Sequence, residues 1–212
     1  LLARIGIGRR GRIGLLAACL CLSAPLLCGC ARAEAVSRTG YFFGTVVEVT
    51  VYAGKETAEA ALDAVMARFN EIEQELSVNI AGSDVDRLND GAGAAVSVSD
   101  DTMKVLRRAL DFAELSNGAF DPTVGPLVTL WGVGTPSARV PGADEIEAAR
   151  ALVDYRRVTV DATAGTVELG AGQAVDLGGI AKGYAADEGR LVLAEAGVER
   201  ALLNLGGNVL AM

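Results

Sequence analysis

From Phe42 to Tyr52, β-branched and aromatic residues alternate with others in the run FFGTVVEVTVY. This period of two predicts a strand with one buried face. The period changes near Glu56. From there to Leu76, apolar Ala61, Val65, Phe69, Ile72 and Leu76 recur every three or four residues, which predicts one long amphipathic helix. Ser77 to Gly82 breaks that pattern, and Ser83 to Asn89 reads as a short helix opened by a capping Ser or Asp. A brief strand over Val96–Ser99 follows. Asp100 or Asp101 then caps a helix that runs to Ser116 and stops at Asn117-Gly118.

The second half is richer in turns. Phe120 to Gly134 holds two Pro, three Gly and the single Trp, and predicts an ordered loop with one apolar turn. Gly142-Ala143-Asp144 opens a helix reaching about Val153. Val158–Val160 and Val167–Leu169 predict a hairpin around Ala164-Gly165. Gly179 to Ala196 reads as a helix, and Ala201–Leu205 and Asn208–Met212 read as strands around Gly206-Gly207. With 212 residues and 51% hydrophobic content, this order predicts a mixed α/β (α+β) domain of sheets with packed helices.

The N-terminus has a different character. Arg4, Arg9, Arg10 and Arg12 precede an apolar stretch from Ile13 to Leu27, which ends in Leu27-Cys28-Gly29-Cys30. A basic start and a short apolar core read as an export signal. Leu27 to Cys30 resembles a lipobox, which makes Cys30 the lipidated first residue of a mature protein. Ala31 to Thr39 then reads as a short tether. All four cysteines lie in or at the end of this segment, so the body after it offers no thiol nucleophile and no internal disulfide. The net charge is −8, and residues 1–29 contain no acid, so the exported body is more acidic still. Such a body is a poor nucleic-acid partner. There is no histidine, which excludes Ser-His-Asp and Cys-His schemes and leaves carboxylates, Lys, Tyr, Thr and backbone groups for chemistry.

Three stretches carry candidate chemistry. In Val175-Asp176-Leu177-Gly178-Gly179-Ile180-Ala181-Lys182-Gly183-Tyr184, a strand runs through glycines into a helix start. The helix N–H groups and Lys182 there suit a phosphate, and Asp176 suits a ring or ribose donor. An Asp cap with glycines for tight packing is an equal reading. In Asn117 to Pro126, Ala119 and Phe120 can face a flat ring while Asp121 pins the turn. A Pro/Gly corner capped by Asp121 is the simpler alternative. Gly206-Gly207-Asn208 reads as close backbone packing.

Taken in order, Phe43-Gly44-Thr45, Leu76 to Asn89, Gly118 to Gly134, Val175 to Asp187 and Gly206-Gly207-Asn208 resemble the FAD:protein FMN transferase family of exported lipoproteins, over Tyr41 to Met212. The resemblance implies a T-fold-like flavin-transferase domain over residues 41–212, behind a lipoprotein signal peptide (1–29) and a lipid-anchored tether (30–40). It implies Mg²⁺-assisted transfer of FMN from FAD to a Thr or Ser hydroxyl of an acceptor protein, with release of AMP. Phe43, Asn79, Ala119, Phe120, Asp121, Asp176 and Lys182 are then expected on FAD, and the Gly179 carbonyl on the metal. The family's remaining metal ligands lie in an Asp-Ala-x-x-Thr-like segment expected beyond residue 212. The acceptor implied belongs to a membrane electron-transport system, and the protein is expected in the bacterial cell envelope, held to the membrane by lipid. Where many relatives carry a stacking Tyr, this chain has Asn79, which leaves hydrolysis of FAD to FMN and AMP as an alternative. A non-catalytic flavin-binding lipoprotein is the reading of a different class.

Overall fold

A computed structural model describes residues 34–212. The signal segment, the Cys30 lipidation site and the first residues of the tether lie outside the described residues. From Glu34 onward the expected tether is a strand. β1 (Glu34–Phe42) pairs antiparallel with β2 (Thr45–Ala53), from Glu34 opposite Ala53 to Phe42 opposite Thr45. The cause is tertiary. Arg38 reaches across to Glu59 at 2.6 Å and pairs with Asp63, both on the helix that follows.

The strand expected over Phe42–Tyr52 is broken at Phe43-Gly44, whose φ angles are 54° and 70°. Two left-handed residues in a two-residue loop match the twist of a hairpin, so the run splits into the end of one strand and the whole of the next. Phe43 is a bulky residue in a region that disfavours it. Its backbone is held there by a bond from its N–H to the Glu73 carboxylate at 2.7 Å, and its ring packs edge-on against Phe69.

Helix α1 (Lys55–Leu76) follows. It buries Ala58, Ala61, Leu62, Val65, Phe69, Ile72 and Leu76, the face its periodicity predicts. Opposite stand Val47, Val49 and Val51 of β2 and Leu203 and Leu205 of β6 (Ala201–Leu205). With β7 (Asn208–Ala211), these strands form an antiparallel sheet in the order β1-β2-β6-β7. Each fully buried Leu or Phe in this layer contributes about 1.5–3 kcal/mol through removal from water. Helix α6 (Gly178–Glu195) lies beside α1, and Gly189 makes the approach possible. A Cβ at that position would come within 2.9 Å of the Phe69 ring and 2.8 Å of Leu203.

The remaining elements form a smaller layer. Strands β3 (Ala95–Ser97), β4 (Thr159–Asp161) and β5 (Thr166–Glu168) pair antiparallel in the order β3-β5-β4. Helix α2 (Asp84–Asp90) is capped by Ser83, as expected. Helix α3 (Asp100–Leu115) is capped by Ser99 and not by an Asp, because the Ser99 hydroxyl takes the Thr102 N–H at 3.2 Å. The turn-rich stretch contains α4 (Gly125–Trp131), closed by left-handed Gly132. Helix α5 (Ala143–Arg150) is shorter than the expected run to Val153. A polar network ties α1, α3 and α6 together. Arg68 meets Asp101 at 2.6 Å and Glu188 at 2.7 Å, and the Tyr184 hydroxyl donates to Asp101 at 2.7 Å. Burial pushes the Tyr184 hydroxyl well above its usual range, and its bond to the Asp101 carboxylate adds to the effect.

Candidate functional site

The strand expected to end at Val175-Asp176 is not formed: this segment joins neither sheet, with one isolated bridge from Ala174 to Val124. It is held from two sides. The Asp176 N–H donates to the Pro122 carbonyl at 2.9 Å. Val175 donates its N–H to the Asn89 side-chain oxygen at 2.7 Å and accepts the Asn89 amide at 3.0 Å. Asp176 then turns its carboxylate back onto the Gly178 N–H at 2.8 Å, closing the turn that starts α6. One turn along, Lys182 donates to the Gly178 carbonyl at 3.3 Å. Among the described residues no carboxylate pairs with this ammonium.

These groups form one wall of a cleft of about 210 Å³. Asp176, Gly178, Ala181 and Lys182 line one side, and the Phe43-Gly44 turn and the Leu76–Asn79 segment line the other. Phe43, Asn79, Asp176 and Lys182 are therefore brought together, although they come from three distant stretches. The cleft combines a cation, a helix N-terminus and an aromatic edge, a combination suited to a phosphorylated ligand with a flat ring.

The other expected contacts lie elsewhere. Phe120 and Gly179 line a second, more apolar cavity of about 340 Å³ with Phe112, Leu115, Ser116 and Ile180. The Phe120 ring stands 3.2 Å from where a Gly179 Cβ would sit, so glycine permits that contact. Ala119 is exposed on the turn after α3. Asp121 is fully engaged within the protein. One oxygen takes the Thr123 N–H and hydroxyl at 2.8 and 2.7 Å, and the other takes the Tyr155 N–H at 3.0 Å. Gly125 lets this loop dock on the segment before Asp176, since a Cβ there would meet the Ala174 carbonyl at 2.7 Å.

Comparison with known proteins gives the site its context. The ApbE family model matches residues 43–212. The chain belongs to the ApbE family. It is 39% identical to the FAD:protein FMN transferase of Treponema pallidum, over 95% of this chain and 58% of that protein. The crystal structure of the ApbE protein from Thermotoga maritima superposes with a TM-score of 0.79 at 34% identity, over 84% of this chain and 59% of that one. Apo flavinyl transferase ApbE from Pseudomonas stutzeri gives 0.77 at 29% identity, over 85% and 61%. The chain thus spans about three-fifths of the length of these relatives. The mixed α/β architecture read from the sequence is the ApbE fold.

Three residues shape this ApbE cleft beyond what the sequence shows: Glu73 carries no signal, Ser83 reads only as a helix cap and Asn89 only as the end of a short helix. Glu73 lies in the last turn of α1 and holds the Phe43 backbone. Ser83 donates its hydroxyl to the Ser77 carbonyl at 2.7 Å. Asn89 holds Val175 across 86 positions of sequence. Spacing along the chain cannot reveal contacts that only the fold creates. The metal expectation fares differently. Among the described residues, no three of Asp, Glu, His or Cys stand together to hold an ion. With the Gly179 carbonyl as their one nominated ligand, these residues do not by themselves fit a Mg²⁺ site. Nor, among the described residues, is any helix long and apolar enough to cross a membrane.

Proposed function

We propose that this chain binds FAD in the cleft between the Phe43-Gly44 turn and the start of α6, and that the whole protein transfers FMN from it to a protein hydroxyl. The observation that carries this reading is Lys182 and the first turn of α6 meeting Asp176, Phe43 and Asn79 in one cleft. Lys182 and the N-terminal end of α6 would hold the pyrophosphate, and Asp176 would accept a hydrogen bond from the ring or ribose. In the transfer, a Thr or Ser oxygen of the acceptor attacks the FMN phosphorus. The phosphorus–oxygen bond to AMP breaks, AMP leaves with the electron pair, and the hydroxyl proton is lost. Lys182 would offset the charge that grows on the phosphoryl oxygens. The proposal includes Mg²⁺ for the whole protein, with ligands that residues 34–212 do not assemble. It also places the protein in the cell envelope, lipid-anchored through Cys30, with an electron-transport protein as acceptor.

A second reading rests on Asn79, which is exposed at the cleft and has no ring to stack on a flavin. Water would then be the acceptor, giving FMN and AMP. Incubation of the whole protein with FAD, Mg²⁺ and a Thr-containing acceptor separates the two. Fluorescent flavin that stays with the denatured acceptor supports transfer, and FMN with AMP alone supports hydrolysis. Neither product would contradict both. Asn79→Tyr is expected to raise the labelled fraction, and an unchanged ratio would show that Asn79 does not select the acceptor.

A further inference from the structure

Helix α2 touches both walls of the cleft, one at each end. At its start, Ser83 is buried (3% exposed). Its hydroxyl donates to the Ser77 carbonyl at 2.7 Å and accepts the Asp86 N–H at 2.9 Å. That bond fixes the Ser77–Asn79 wall. Near its end, Asn89 makes two bonds to the backbone of fully buried Val175, as a neighbouring strand would. Those bonds fix the residue before Asp176. The helix is itself anchored from the side. Asp84 takes the Ser99 N–H at 2.7 Å, and Arg87 donates to the Ser97 carbonyl at 2.9 Å. A helix of seven residues spans about 10 Å, so α2 acts as a strut of fixed length between the two walls.

We propose that α2 is a two-ended clamp, with Ser83 and Asn89 as positioning residues that set the separation of the Asn79 and Asp176 walls and so the fit to the ligand. This rests on the reading of the cleft as an FAD site. Neither side chain lines the cleft, so each would act through the backbone that it holds.

The test uses the whole protein and two separate readouts. The first is amide hydrogen exchange, which needs no ligand. In Asn89→Ala the Val175 N–H is expected to exchange about 10-fold faster, with core Leu203 unchanged. The second is FAD titration of Asn89→Ala, Asp176→Ala and the double variant. Asn89→Ala is expected to weaken FAD by about 10-fold. If it acts through Asp176, the double variant loses little beyond Asp176→Ala alone, whereas a general loss of structure would add in full. Asn89→Asp keeps the side-chain volume and the acceptor for the Val175 N–H, so it is expected to fall between wild type and Asn89→Ala. It decides the matter if Asn89→Ala does not fold. Unchanged exchange at Val175, or fully additive losses, would overturn the clamp. Failure of the wild type to bind FAD would overturn the FAD reading, and the exchange rates would still judge the clamp.

Discussion

Asp176 and Asp121 begin as similar features, each an Asp followed within four residues by glycine in a stretch that resembles a flavin site. The fold treats them differently. Asp121 spends both oxygens on the frame, taking three donors from Thr123 and Tyr155. Asp176 spends one oxygen on the start of α6 and lines the open cleft. Pro122 holds the Asp176 backbone and Asn89 that of Val175 before it, so the Asp176 carboxylate is spared that task. A carboxylate available to a ligand is one whose backbone other residues hold in place.

The largest expected effect tests the frame side of this comparison. Asp121→Ala leaves three donors without their acceptor and is expected to cost about 2–3 kcal/mol, lowering Tm by roughly 5–10 °C for a domain of this size. Asp176→Ala removes a single turn-closing bond and should cost about 1 kcal/mol, while weakening FAD more than Asp121→Ala does once both are folded. Calorimetry paired with FAD titration checks the two together. Equal stability losses would erase the distinction.

Lys182→Ala sharpens the ligand side. Its ammonium contributes one bond to a helix carbonyl, so stability should move by less than about 0.5 kcal/mol. FAD affinity should fall roughly 10- to 100-fold through the lost charge-assisted contact. A titration that finds equal affinity would remove Lys182 from the site.

The smallest effects concern two acids of the frame beside the cleft. Burial raises Glu75 above its ordinary range, and the charges of Asp101 and Asp84 add to this against the Ser99 hydroxyl. For Asp84, burial is outweighed by the Ser99 N–H, the Ser99 and Thr102 hydroxyls and Arg87, so it lies below its usual value. The signs are opposite. A raised carboxyl costs stability as pH climbs past its unfolded value of 4.5, so Glu75→Gln is expected to stabilise near neutral pH and to gain nothing at about pH 3. A lowered carboxyl contributes stability above 3.8 and loses it as pH falls. Asp84→Asn should therefore cost most at neutral pH and least at about pH 2. Urea midpoints across pH would show both trends, and parallel curves for the two variants would refute them.

The sequence was most informative where one element carries its own pattern. The apolar stripe of α1, the turn between β4 and β5 and the glycine start of α6 are each local, and each was readable. β1 was not, because EAVSRTGYF has little alternation of its own and becomes a strand by pairing with β2. The Phe43-Gly44 turn was hidden inside a run of strand-forming residues. In the site, the four cleft residues were named from order and resemblance. Of their supports, Glu73 and Asn89 depend on contacts between distant segments, whereas Ser83 is a local cap whose hold on Ser77 goes beyond that role. That Phe120 packs beside Gly179 could not be read from spacing, since it depends on how the turn after α3 meets the start of α6.

The central claim is that the cleft beside α6 holds FAD through Lys182. Its most direct test is a titration of FAD into the wild-type whole protein and Lys182→Ala, followed by flavin and tryptophan fluorescence. The account predicts saturable one-to-one binding that weakens roughly 10- to 100-fold in Lys182→Ala at unchanged Tm. Equal affinity in the two proteins, or no binding by the wild type, would contradict it.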